Sequence, residues 1–288
     1  MKSMSRMLFR RVRLAALLPV LWLAACAGMP GEKPILAHET LGTGPVKVLV
    51  LHDWLGDRRN YDPIKPYLDT KAYSYAFADL RGYGGSMGIP GAFNEKEASA
   101  DALRLADRLG WAQFHIVGHS MTGMVVQRIA ADAPDRVLSV FATTPVSAAG
   151  MQTDPDTRGF LEGAARDPAV TEQAIQALTG NRLSAQWARA KTEWAMTRTT
   201  ETARLGYLDM FDKSDFHKEV EGLPVPVTVF LGENDLPFFQ PDYIQGTFGK
   251  WYPNLKIVVS PNAGHYPMQE TPVFYASALD AHLKAQAR

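Results

Sequence analysis

The stretch Phe114-His115-Ile116-Val117-Gly118-His119-Ser120-Met121-Thr122-Gly123 decides how this chain folds. Phe114–Val117 is a short, largely apolar run and reads as a buried strand. A helix is expected from Met121 to Ala133. Ser120 falls on the sharp turn between them, at the carboxyl edge of a sheet, where open α/β sheets take their ligands. Such a turn strains the serine backbone, so the residues two positions away must be small. Gly118 satisfies this. Thr122 departs from the usual glycine and requires the turn to open slightly. The helix N-terminus beneath Ser120 aims backbone N–H groups at negative charge developing there.

Working outward, strand and helix signals alternate. Strands are expected at Val46–Leu51, Tyr73–Phe77 and Val137–Ala142, with helices at Tyr61–Leu68 and Glu95–Leu109. This βαβ rhythm implies a parallel sheet covered on both faces. It stops near Pro145. From Ser147 to Glu221 only helical stretches appear, the best at Thr171–Leu178, Ser184–Met196 and Glu201–Phe211. Strands then return at Val225–Leu231 and Leu255–Val259, before a final helix Pro272–Ala287. The expected fold class is α/β: a mostly parallel sheet with helices on both faces. The core spans 35–146 and 222–288, and a helical cap, 147–221, is inserted between its halves.

At this point the chain resembles the α/β-hydrolase family, over nearly all of residues 35–285. The resemblance implies the chain order Ser, acid, His. Gly232-Glu233-Asn234-Asp235 matches the family's Gly-x-x-Asp after the next-to-last strand, which points to Asp235, with Glu233 at the wrong offset. Asn262-Ala263-Gly264-His265 matches the Gly-His loop after the last strand, which points to His265. Leu51-His52-Asp53-Trp54-Leu55-Gly56 is similar to the family's His-Gly-x-x-Gly loop. That similarity implies an oxyanion hole made by the backbone N–H groups of Trp54 and Met121. Asp53 stands where the family has glycine and sets a carboxylate near the site, which opposes an oxyanion unless it turns away or is paired. Asp79-Leu80-Arg81-Gly82-Tyr83-Gly84-Gly85-Ser86 matches a further family signature. We read it as structural, a tight glycine loop pinned by the arginine. Cofactor-free haloperoxidases and perhydrolases carry this string, as do many esterases and C–C bond hydrolases.

The expected function is therefore hydrolysis of a carboxylic ester or related small acyl compound through an acyl-enzyme on Ser120. Perhydrolysis or C–C bond cleavage at the same triad, and a silent binding protein on the same scaffold, stand as alternatives. Trp187, Trp194 and Phe238 are candidates to line an acyl pocket. No cofactor motif is visible. His115 and His119 lie on a strand and its turn rather than on one helix face, so no metal site is expected.

The leader carries a second message. Lys2, Arg6, Arg10, Arg11 and Arg13 precede an apolar run, Leu14–Ala25, too short to span a bilayer comfortably. Leu23-Ala24-Ala25-Cys26 resembles the bacterial lipoprotein box and contains the chain's single cysteine. The resemblance implies a signal peptide, 1–25, a lipid anchor at Cys26, a tether, 26–34, and an outer-membrane position facing the periplasm. Ala25-Cys26-Ala27 also fits ordinary secretion with cleavage after Ala27. With one cysteine no internal disulfide forms, and a chain of 288 residues needs none. The leader holds five of the 30 basic residues and no acid, so the remainder is net about −5, which gives no electrostatic reason to bind nucleic acid.

Overall fold

The computed structural model describes residues 33–286. The signal peptide, Cys26 and all but the end of the tether lie outside them. Seven strands form one sheet: β1 His38–Leu41, β2 Val46–Leu51, β3 Tyr73–Ala78, β4 Phe114–His119, β5 Val137–Thr143, β6 Val227–Gly232 and β7 Leu255–Ser260. Their order is β1-β3-β2-β4-β5-β6-β7. All neighbours are parallel except β1, which pairs antiparallel with β3, His38 opposite Ala78. Strand β1 has no signature in the sequence, because four residues without clean alternation give too little periodicity to see.

Successive side chains of the central strands point to opposite faces. Leu49, Leu51, Ile116, Val229 and Leu231 join one apolar core, together with Ala102, Leu105, Val125 and Ile129 of helices α1 (Glu95–Arg108) and α2 (Met121–Asp132). Val48, Val50, Val117, Phe141 and Phe230 join the other, under Tyr275, Leu279 and Leu283 of the C-terminal helix Pro272–Gln286. The helix expected at Tyr61–Leu68 is instead a 3-10 segment, Arg58–Tyr67. Pro63 and Pro66 lie inside it, and each removes an N–H that an α-helix would need.

Between β5 and β6 run α3 (Pro155–Arg166), α4 (Pro168–Leu178), α5 (Ala185–Arg198) and α6 (Glu201–Lys213). Helix α3 was not singled out in the sequence, although Asp154-Pro155 announces it. The Asp154 carboxylate accepts the N–H groups of Asp156 and Thr157, both at 3.0 Å, and proline fits the first helical position. Among the described residues no helix is long and apolar enough to cross a membrane.

Candidate active site

Strand β4 ends and α2 begins at Ser120, whose backbone sits at φ 53° and ψ −113°. A non-glycine residue there costs on the order of 1–3 kcal/mol and persists only where the surroundings hold it. They do. Ser120 N–H donates to Thr143 O at 2.9 Å, while Ser120 O accepts the N–H groups of Gly123 at 2.8 Å and Val146 at 3.0 Å. A Cβ at Gly118 would fall 2.5 Å from Thr122 O, so strand and helix approach this closely only over a glycine. Thr122 earns its place by its hydroxyl. Oγ1 accepts the His119 N–H at 2.9 Å, and its one proton has both His119 O at 3.1 Å and Leu51 O at 3.2 Å within reach. The threonine thereby ties the end of β4 to the end of β2.

The acid and histidine loops meet over a pair of glycines. A Cβ at Gly232 would lie 1.9 Å from Gly264 O. This contact brings Asp235 beside His265, and the imidazole Nδ1 donates to Asp235 Oδ2 at 2.7 Å. Asp235 Oδ1 accepts the Leu236 N–H at 2.7 Å. Burial pushes the Asp235 carboxyl up, and the His265 ring opposes that push. The His265 backbone is held from both sides. Its N–H donates to Leu178 O of α4 at 2.9 Å, and Glu270 accepts the flanking N–H groups of Gly264 at 2.9 Å and Tyr266 at 3.0 Å. Glu233 instead accepts the Asn262 N–H at 3.0 Å, bracing the loop without reaching the imidazole pair.

Ser120 and His265 open into one cavity of about 590 Å³ including its mouth, walled by Trp54, Met151, Phe160, Leu161, Ala177 and Phe239 among others. Its walls are apolar, and α3 and α4 supply several of them. Trp54 is fixed by its indole N–H, which donates to Arg204 O of α6 at 2.8 Å. Met121 is the first residue of α2, so its N–H has no partner within the helix. His119, 5.2 Å from His265 between ring centroids, is a different kind of histidine. Its Nε2 donates to His265 O at 2.7 Å, and burial lowers its pKa to about 3, so it stays neutral.

The structure does not bring the three pocket candidates to this cavity. Trp187 and Trp194 line a separate cavity with Arg59, Asp62, Pro63, Lys191 and Gln269. Phe238 packs on Tyr243 at 4.1 Å, and its neighbour Phe239 faces His265 at 4.5 Å. One residue of offset in a short 3-10 turn, Pro237–Phe239, exchanges which ring points inward. The glycine signature around Asp79 is structural. Asp79 accepts the N–H groups of Arg58 at 2.9 Å and Gly85 at 2.7 Å, and Arg81 pairs with Asp101 at 2.5 Å.

The alpha/beta hydrolase fold family matches residues 47–272, and the chain belongs to that family. It is a hydrolase. The chain is similar to the pimeloyl-[acyl-carrier protein] methyl ester esterase of Nitrosomonas europaea, at 28% identity across 84% of this chain and 97% of that one. Among solved structures it resembles a thermophilic esterase from Thermogutta terrifontis, with a TM-score of 0.76, 23% identity, and coverage of 88% and 94%. It also resembles a bromoperoxidase from Bacillus anthracis, with a TM-score of 0.76, 22% identity, and coverage of 86% and 94%.

Proposed function

We propose that the chain is a serine esterase, acting on a small carboxylic ester with an apolar acyl group. The observation that carries this reading is the strained Ser120 opening, together with the Asp235-paired His265, into a single apolar cavity. Ser120 Oγ attacks the ester carbonyl carbon as His265 Nε2 takes its proton. The tetrahedral oxyanion is held by the Trp54 and Met121 N–H groups, each worth about 3 kcal/mol. The C–O bond to the alcohol then breaks, and the alcohol leaves with the proton from His265. Water, deprotonated by the same imidazole, releases the acid from Ser120. Asp235 keeps the imidazole in the tautomer that presents Nε2 and stabilises its charged form. The methyl ester esterase relative supports an ester as the bond class, and the apolar walls support an aliphatic acyl chain. Ser120→Ala should lower kcat/KM toward p-nitrophenyl esters by at least about 10³-fold with the circular dichroism spectrum unchanged. A folded variant with undiminished turnover contradicts the reading.

We also propose that Cys26 is lipidated and anchors the mature protein to the bacterial envelope, on the strength of the Leu23–Cys26 box and the charged leader. Membrane fractionation with a lipid-sized mass increase on the Cys26 peptide is the expected outcome. A soluble product beginning at Gly28 indicates ordinary secretion instead.

A further inference from the structure

Beside the cavity, helix α5 carries a lysine into the interior. Lys191 is 4% exposed. Its Nζ donates to Asn60 Oδ1 and lies 4.5 Å from the Tyr266 ring centroid. Asn60 is fully buried, and its Nδ2 donates to Asp53 Oδ1. Gln269 Nε2 adds a donor to Asn60 Oδ1 at 3.1 Å. The other Asp53 oxygen accepts the Leu55 N–H at 3.3 Å. Asp53 and Lys191 are thus buried opposite charges, not in direct contact but linked through one asparagine amide. The loop is shaped around that bridge, since a Cβ at Gly56 would lie 2.4 Å from Asn60 Nδ2 and 2.7 Å from Asp53 Oδ1.

A carboxylate buried here without a cation would be costly. Burial opposes the ionisation of Asp53 more than any one neighbour favours it, but the surrounding groups together, Lys191 foremost, outweigh it and hold the carboxyl below its ordinary range. Burial in turn draws the Lys191 ammonium down, against the pull of Asp53 and then Asp57. The position of Asp53 gives this pair a consequence for chemistry. It directly precedes Trp54, whose N–H faces the oxyanion in the reaction above. A glycine at that position would bring no charge to compensate.

We propose that Lys191 is a positioning residue for the oxyanion hole: through Asn60 it orients and neutralises the Asp53 carboxylate, so that the Trp54 N–H meets the oxyanion beside a compensated charge. The inference rests on the Ser120 reading. It makes the oxyanion loop dependent on a residue delivered by the cap.

The test compares wild type, Lys191→Met, Asp53→Gly and the double variant Asp53→Gly/Lys191→Met in the full-length protein. The readouts are kcat and KM for p-nitrophenyl butyrate per fluorophosphonate-titrated site, affinity for a phenylboronic acid that becomes tetrahedral on the serine, and Tm. Lys191→Met should lower kcat by about 30-fold, weaken the boronic acid by a similar factor, and leave KM within about threefold. The double variant should stay within about threefold of Asp53→Gly, because without the carboxylate the lysine has nothing to compensate. Unchanged kcat per site and unchanged boronic acid affinity, with only Tm lowered, overturn the proposal. If Lys191→Met does not fold, the double variant decides. Equality with Asp53→Gly supports the proposal, and a further loss beyond about tenfold overturns it. Failure of the underlying reading looks different, as wild type would then take up no fluorophosphonate and Ser120→Ala would keep its turnover.

Discussion

The cap meets the core in two neighbouring places built of opposite materials. Over Ser120 and His265 it lays Phe160 and Leu161 of α3 and Ala174, Ala177 and Leu178 of α4, an apolar lining. A short way along the chain, α5 brings Lys191, Trp187 and Trp194 against Arg59, Asp62 and Gln269, and the Arg59 guanidinium stacks 4.1 Å from the Trp194 ring. The two surfaces divide the labour. An apolar wall discriminates by size and gains little from fixed orientation. A buried polar network tolerates little displacement, because each unpaired group costs more than its bond returns. On the proposed function, the first surface selects the acyl chain, and the second holds the loops bearing Asp53 and His265 in register.

Lowering the pH should destabilise the protein more than any substitution below. Three interior histidines, His115, His119 and His282, are kept neutral by burial. Burial lowers His115 to about 4, and lowers His119 and His282 to about 3. His115 and His282 share Ser139 Oγ, each at 2.7 Å, and His282 reaches Thr228 on its other nitrogen at 2.8 Å. In the unfolded chain each takes a proton near pH 6.5. The unfolded state therefore binds more protons between about pH 6.5 and the folded values, and stability falls as the pH drops through that window. Urea unfolding should show a loss of several kcal/mol, on the order of 5, between pH 7 and pH 5. Replacing His282 with glutamine should flatten that slope by about one proton. A slope unchanged in the variant removes His282 from the account.

Filling the apolar side is the next test. Ala177→Trp should lower kcat/KM for p-nitrophenyl octanoate relative to the acetate by at least about tenfold, since the added ring occupies the volume a long acyl chain needs. An equal loss for both esters would place the acyl chain elsewhere. The smallest effect belongs to the polar side. Trp194→Ala should leave the octanoate-to-acetate ratio within about twofold, whatever it does to stability. A large change in that ratio would make the two cavities one binding surface.

The parts of the fold and site that were legible in the sequence are those where backbone must approach backbone. Gly118 at the turn and Gly232 against Gly264 are positions where any side chain collides, so the glycines themselves mark Ser120, Asp235 and His265. The buried strands were legible for a related reason, as a strand covered on both faces must be apolar throughout. The cap was legible only as helix. Which faces its aromatic residues present depends on tertiary packing, and so Trp187 and Trp194 fall on the second cavity rather than the first. The bridge from Asn60 to Lys191 joins residues 131 apart, and no local pattern signals it. The only hint was the departure at Asp53, a charge that demanded a partner without naming it.

The central claim is that Ser120 is a nucleophile activated by His265. Reaction of the purified protein with a fluorophosphonate, followed by peptide mass mapping, tests it most directly. One phosphonyl adduct per chain is expected, located on Ser120 and formed at least about 10³-fold more slowly in His265→Ala. An adduct on another residue, or none on the folded wild type, would contradict it.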